Sequence, residues 1–528
     1  MRLTINILIL TGTQSYPILQ KIAASTKNHH VEVKKVPFSI SAFLTQKIVK
    51  EELNSIEITP YDLILLPGFI QWDAQNLEKH FSIPIRKGTQ FASDLPIFLK
   101  KIENFNLSTS LSADKLLKIS GETQYQNIVD AQIKAVRTDI NQRNFYINKN
   151  SSEIMVGRNL PPPIIAEIVN ATNKSNKSIL KKAKHYIKSG ADIIDIGCIV
   201  NKPNPTRVKT IIQLLRSHFN VLLSIDSMNS EEIHCAIDEK IDMILSLDIG
   251  NYKEFSEIPK DIPIVLLPTN IQKGYFPKEP EMRVQNLFTL TKKMFKLGFT
   301  KLIADPLLET PISPGIVPSL ISYFLYSKKA RKEEFRKYEL PMFFGISNVV
   351  ELMDIDSVGI NGLLASIAVE LDIGILFTVE HSTKLMGGVK ELKEAVKLNY
   401  ISHHKKTPPI NQGIQIFKAK GKTSQETPDL TTIENPIYIE DKNSSYNPDE
   451  KGYFKIYVDH YQKEIIVCFY STSRQLIETL IGKDAESLSK KVMSLNLTDN
   501  PQHLNYLGRE LSNAEFCLNL GKPYIQDA

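Results

Sequence analysis

Eight apolar runs of this chain carry an Asn, Asp or Glu at or near their ends: Asn170, Asp195, Asp226, Asp248, Asn270, Asp305, Asn348 and Glu380. An ionised carboxylate in a dry pocket can accept two neighbouring N–H bonds, and such charge-assisted bidentate pairs are the strong ones. Asparagine both donates and accepts, which suits an orienting role beside a substrate or a hydrated metal. Asp248 is followed by Ile-Gly-Asn and reads better as a cap on the turn after its run. Brought together, the others would make a polar ring able to hold a donor-rich ligand.

The runs that must position them are PIIAEIVNAT, ADIIDIG, NVLLSIDS, IDMILSLDIG, IPIVLLPTN, KLIADP, PMFFGIS and IGILFTVEHS. Short, near-continuous Ile/Leu/Val runs fit parallel strands buried on both faces. Each of the first seven is followed by a stretch able to form a helix. Eight such units predict a (β/α)8 barrel over residues 161–405, with the ring at the C-terminal ends of its strands, where barrel active sites lie.

At 528 residues the chain is too long for one core. INILILTG, HVEVKKV and DLILLPGFI alternate with helical patterns and predict a Rossmann-like, doubly wound α/β domain over residues 1–120. Its turns TGT and PGF fall at strand ends, where such sheets bind ligands. TGT lacks the full glycine fingerprint of a nucleotide site, and Arg86 and Lys87 in IRKG read as a solvated loop. Residues 121–160 read as a polar connector closed by the prolines 161–163. Residues 419–450 read as an extended linker. Residues 451–528 read as a small α+β domain, with a hairpin over GYFKIYVDHYQKEIIVCFY and helices at QLIETLIG, AESLSKKVMSL and NYLGRELSNAEFCLNLG.

Composition narrows the function classes. A net charge of +6 from 64 basic and 58 acidic residues is modest, and the lysines are spread through helices. Nucleic acid is therefore not an expected partner. No apolar run approaches the ~18 residues of a membrane span. MRLTINILILTG reads as a buried first strand rather than a cleaved leader, so a cytoplasmic protein is expected. The four cysteines lack CxxC spacing, which argues against a zinc ribbon or disulfide framework. Cys198, beside a strand-end glycine, is a weak candidate for a reactive thiol.

The mouth residues resemble those of dihydropteroate synthase and the wider pterin-binding barrel family. That family's first strand ends Asn-Val-Thr, and here stand Asn170, Ala171 and Thr172. Its second reads Ile-Asp-Val-Gly, matched by Ile194, Asp195, Ile196 and Gly197. Its third ends Ser-Val-Asp-Thr, matched by Ser224, Ile225, Asp226 and Ser227. Its sixth ends Asp-Pro, matched by Asp305 and Pro306. The whole-chain layout is similar to the archaeal dihydropteroate synthase-like proteins, with a PGF-type turn early and YLGREL and YIQD near the end. The resemblance implies a transferase that joins a dihydropterin to an arylamine in folate- or methanopterin-like cofactor biosynthesis. Asp195, Asp226, Ser246, Asp305 and Asn348 would hold the pterin. Asn170 and Lys202 would act on the reacting groups, with Asn170 as a ligand for Mg2+. A reduced pterin and an arylamine are the expected small-molecule partners, and a homodimer is the candidate assembly.

Departures from the pattern matter as much. The family's Ser-Arg-Lys is replaced by Ser347, Asn348 and Val349, and its Arg-x-His by Val379, Glu380 and His381. Its strand-four Asn is Ser246, and Lys202 stands where a loop Arg would. The pterin-edge residues are kept, while the cations that would stabilise a departing pyrophosphate are mostly lost. This opens two alternatives: a pterin-dependent methyltransferase of the corrinoid type, and a pterin-binding protein without turnover.

Overall fold

The computed structural model describes residues 4–90, 92–100, 102–104, 106–148, 154–410, 412–414, 416 and 448–527. The expected linker 419–450 lies outside the described residues except for 448–450. The chain divides into two compact units, one holding residues up to 128 together with the stretch from 404, the other residues 129–403 together with the C-terminal module.

The first unit is built on four parallel strands: β1 (Asn6–Thr11), β2 (His30–Lys35), β3 (Leu63–Leu66) and β4 (Ile85–Lys87), in the order β2-β1-β3-β4. Apolar side chains from both faces of this sheet pack beneath helices, as in a doubly wound fold. The IRKG segment is not a solvated loop but the edge strand β4. Lys87 is buried, donating from Nζ to the Ile70 carbonyl at 2.9 Å, and Arg86 is paired with Glu78. Both cations are committed to the domain itself. The TGT and PGF turns flank a small cavity of about 70 Å³ lined by Thr11, Ser15, Ser41 and Pro67.

Residues 121–160 depart from the expected connector. Ala113–Val136 is one 24-residue helix, and β5 (Phe145–Tyr146) pairs antiparallel with β6 (Met155–Val156). This ribbon inserts Phe145, Ile147 and Val156 into the barrel core, against Ile165, Leu222, Val265 and Ile303. Asn148 bonds Asp242 at 2.7 Å, and Arg158 pairs with Glu339 at 3.0 Å and Asp372 at 2.8 Å. Those three acids precede barrel strands, so the ribbon plugs the N-terminal end. Polar composition concealed a short two-stranded plug whose Phe145, Ile147 and Val156 enter the barrel core, while Tyr146 and Met155 pack with Val136 and Leu160.

The barrel strands are β7 (Ile164–Ile168), β8 (Ile193–Gly197), β9 (Leu222–Asp226), β10 (Met243–Leu247), β11 (Ile264–Leu266), β12 (Leu302–Ala304), β13 (Phe343–Gly345) and β14 (Ile375–Val379). They run parallel in the order β12-β11-β10-β9-β8-β7-β14-β13, and a parallel bridge between Ala304 and Met342 links the two ends. This is the expected (β/α)8 barrel. Its helices follow from local signals. In Asn176–Ser189, Ser175 caps the start by accepting from Ser178 N, and Ile179, Ala183 and Tyr186 bury one stripe. Gly190 ends the helix at φ 100°, a conformation open to glycine. The connection from β10 to β11 differs from the expected pattern: it carries only the 3-10 turn Tyr252–Phe255.

In the C-terminal module, β15 (Tyr453–Asp459), β16 (Glu464–Tyr470) and β17 (Leu476–Gly482) form an antiparallel sheet covered by helices Ala485–Ser494 and Pro501–Leu520. QLIETLIG, expected as helix, is β17. Its short apolar pattern fits either state, and pairing with β16 from Ile465 to Tyr470 decides it.

Candidate active site at the barrel mouth

Alternation along the strands selects which residues enter the barrel. Ile165, Ile193 and Leu222 belong to its interior core. Counting by twos from them, Glu167, Asp195 and Gly197, and Ser224 and Asp226, face the same interior nearer the mouth. The register sets Glu167 beside Asp195, Asp195 beside Ser224, and Gly197 beside Asp226 one step higher.

The result is a cluster of three carboxyls. One oxygen from each of Glu167, Asp195 and Asp226 lies within 4.8 Å of the others. Gly197 provides the room, since a Cβ there would stand 2.0 Å from Glu167 Oε1. Asp195 is fully buried. Its Oδ1 accepts from Ser224 Oγ at 2.6 Å, and its Oδ2 is buried with no hydrogen-bond partner among the described residues. Neither Glu167, Asp195 nor Asp226 takes part in an ion pair with a described basic residue.

Three such groups cannot all ionise at low cost in a poorly solvated site. Burial, then the charges of Asp226 and Glu351, push Glu167 up to about 8. Burial pushes Asp226 up to about 6. Burial, followed by Asp226 and Glu167, holds Asp195 well above the usual carboxylate range. Around neutral pH the cluster is therefore partly protonated. It can exchange protons, accept N–H bonds, or bind a cation. Three hard oxygen donors, one with a free buried oxygen, suit Mg2+.

Asp305 follows β12 in a separate network. Its Oδ1 accepts from Tyr323 Oη at 3.0 Å and Leu307 N at 2.8 Å. Burial pushes it up to about 7 against those two bonds and the charge of Arg283. Glu380, after β14, is buried and contacts His185 Nε2 at 2.8 Å, Lys182 Nζ at 3.7 Å and Val389 N at 3.1 Å. Burial would raise it, but His185, Lys182 and Val389 outweigh that and hold it below its ordinary value.

The remaining predicted residues take varied positions. Asn170 sits at φ 52° on the exposed rim and makes no side-chain cap bond. Lys202 is exposed in the loop after β8. Ser246 is half-buried on β10. Asn348 is exposed, with Nδ2 donating to the Leu308 carbonyl at 2.8 Å. Asp248 caps the turn after β10, accepting from Gly250 N, Thr269 Oγ1 and Ile271 N at 2.7–2.9 Å. Asn270 likewise caps the turn that follows it, accepting from Lys273 N at 3.2 Å. Burial and then Glu232 drive the Cys198 thiol far up, away from the reactive thiolate form. Glu167 is the site residue that reasoning from run ends missed. The signal was a lone charge inside the apolar run IIAEIV, at the parity that faces the core.

A parallel eight-stranded barrel with buried carboxyls gathered at the C-terminal ends of its strands is the architecture of a ligand-binding (β/α)8 protein. Comparison with known proteins narrows this class. The model of the pterin binding enzyme family matches residues 167–355, and the model described as PterinBD-DUF4346 matches residues 448–527. An uncharacterized protein of Methanocaldococcus jannaschii is 33% identical over 538 residues, covering 100% of this chain and 99% of its own. The chain belongs to the dihydropteroate synthase-like pterin-binding family, in the form that carries additional N- and C-terminal domains. A dihydropteroate synthase type-3 of Escherichia coli is 25% identical over 134 residues, 24% of this chain and 51% of its own. Among solved structures, the Xanthomonas albilineans dihydropteroate synthase in complex with 7,8-dihydropteroate is 16% identical with a TM-score of 0.36, covering 47% of this chain and 94% of its own. The Yersinia pestis enzyme with a pterine-sulfa conjugate is 18% identical with a TM-score of 0.36, covering 46% and 94%. No helix among the described residues is long and apolar enough to cross a membrane.

Proposed function

We propose that this protein is a pterin-binding transferase of the dihydropteroate synthase type, joining a dihydropterin to an arylamine. The observation that carries this reading is the Glu167–Asp195–Asp226 cluster with its unpartnered buried oxygen. A pterin ring presents a 2-amino group and ring N–H donors side by side. Carboxyl oxygens lacking internal donors are the complement of that edge, and the bonds strengthen as water is excluded. Asp195 and Asp226 take the donors from one side. Asp305, with Ser246 on β10 and Asn348 in the short helical turn after β13, holds the ring from the other.

In the reaction, the arylamine nitrogen bonds to the pterin's exocyclic methylene as the C–O bond to the diphosphate breaks. The diphosphate leaves with that electron pair, and the amine gives up a proton. Glu167, whose ionisation lies near neutral pH, is suited to receive the proton. Asn170 and Lys202, both exposed at the rim, are the groups that meet the second substrate and the diphosphate. A divalent ion such as Mg2+ would be held at the rim, with Asn170 as a ligand, and would supply positive charge against the leaving group.

A second reading has its own support. Asn348 stands where the family has a cation and spends its amide on the Leu308 carbonyl. A methyl transfer from a methyl-pterin expels no diphosphate and would not need that cation. Incubation of purified protein with 6-hydroxymethyl-7,8-dihydropterin diphosphate and p-aminobenzoate, with product and diphosphate quantified, separates the two. Formation of dihydropteroate supports the transferase. Pterin binding without condensation across a panel of arylamines would give the methyltransferase or binding-protein reading its place.

A further inference from the structure

The two edges of the three-stranded sheet in the C-terminal module are finished differently. Helices Ala485–Ser494 and Pro501–Leu520 cover one face, with Phe454, Ile465, Val467 and Leu480 packed in the core beneath them. At the β15 edge the chain's own tail supplies a neighbour. Gln526 Oε1 accepts from Ile456 N at 2.9 Å, and Gln526 Nε2 donates to the Phe454 carbonyl at 3.0 Å. One side-chain amide thus takes the donor and the acceptor that a further strand would otherwise use.

The β17 edge has no such cover among the described residues. The strand reads Leu-Ile-Glu-Thr-Leu-Ile-Gly, and Leu476, Ile477 and Ile481 are each more than half exposed. It holds no lysine or proline, residues that commonly guard a sheet edge. Thr479 N donates at 3.0 Å to the carboxylate of Glu478, its own neighbour, rather than to β16. In an antiparallel ladder alternate residues turn both peptide groups to the same edge. Thr479 and Ile481 therefore offer theirs outward, and Ile477 follows at the bulge where the register to β16 shifts.

An open strand can pair with many extended chains, so its occupant must be read from its sequence. β17 is complementary to itself. In an antiparallel pair with a two-fold axis at Thr479, Thr479 faces Thr479, Ile477 faces Ile481, and Glu478 faces Leu480 instead of its own copy. Threonine pairs and apolar β-branched pairs across a ladder are favourable, whereas like charges directly opposite are not. The same register carried past the strand ends brings Arg474 of each copy toward Asp484 of the other. Arg474 is exposed in the turn before β17 and has no ion-pair partner among the described residues. A two-fold symmetric interface requires this kind of self-complementarity.

We propose that two copies of this chain associate through β17, joining their three-stranded sheets into one continuous sheet with an Arg474–Asp484 ion pair at each end of the junction. The surface belongs to the C-terminal module alone and does not depend on what the barrel binds. It gives that module a function in assembly.

Sedimentation velocity of the full-length protein from about 1 to 100 µM, where an interface as small as one strand pair dissociates, tests the proposal. Wild type should pass from monomer to dimer across that range. Ile481→Lys, a change on the solvent side of the strand, should raise the dimer Kd by about tenfold or more, because an edge lysine opposes a second strand. Circular dichroism confirms that the variant is folded. Register is read by cross-linking in a Cys468→Ser background, which removes the thiol opposite position 479 on β16. Thr479→Cys in that background should form a covalent dimer on mild oxidation, since facing Cα atoms of a hydrogen-bonded antiparallel pair stand about 5.5 Å apart, within disulfide reach. Lys455→Cys, on the β15 edge that Gln526 covers, should not. Wild type that stays monomeric, a dimer that persists unchanged in folded Ile481→Lys, or equal cross-linking from both edges would overturn the proposal.

Discussion

Glu167 has the most to say at the scale of single residues. It shares an unneutralised pocket with Asp195 and Asp226, and all three are pushed toward the protonated form, as is Asp305. A carboxyl raised in the folded state binds more protons folded than unfolded between the two values, so stability falls as pH rises through that interval. For Glu167 the interval runs from the ordinary glutamate range up to about 8. Thermal melts from pH 5 to pH 9 should show wild type losing Tm across this range and Glu167→Gln losing distinctly less. Mg2+ added at pH 8 should raise the Tm of wild type more than that of the variant. Superimposable pH curves for the two proteins would mean that Glu167 carries no uncompensated charge. The carboxylates that end strands were legible because a charge closing an apolar run is conspicuous. Glu167 sits inside its run, and only the inward parity fixed by Ile165 gives it away.

Among the elements, the barrel strands were legible because burial on both faces leaves near-continuous apolar runs. Elements with mixed surroundings were not. β17 lies on the edge of its sheet with Leu476, Ile477 and Ile481 exposed, so its apolar residues mark no buried face and its pattern suits a helix equally. The β5–β6 ribbon has too few residues to show a period, and its role appears only where Phe145 meets the barrel interior. Phe145 is nearly fully buried there. Phe145→Ala should destabilise the barrel by about 3–5 kcal/mol, the range for emptying an aromatic site in a core, as read by urea denaturation. A loss within the ordinary scatter of surface substitutions would show that the ribbon is not part of the barrel core.

For the whole molecule, the two compact units each have their own apolar core, which predicts unfolding in two steps. The chain's single tryptophan, Trp72, reports on the first unit, where Nε1 donates to the Leu44 carbonyl at 2.7 Å. Tryptophan fluorescence should follow that unit alone, while far-UV circular dichroism should show a further transition from the barrel. Phe145→Ala should shift the second and leave the first in place. A single transition that moves as one in the variant would show that the units unfold together.

The central claim is that the barrel mouth grips the donor edge of a reduced pterin through buried carboxyls, and calorimetric titration with 6-hydroxymethyl-7,8-dihydropterin tests it most directly. Wild-type protein should bind. Folded Asp226→Asn and Asp305→Asn should each bind more weakly by about 1.5–3 kcal/mol, the cost of losing a hydrogen bond to a charged group. Unchanged affinity in both variants, or no binding by wild type, would contradict the account.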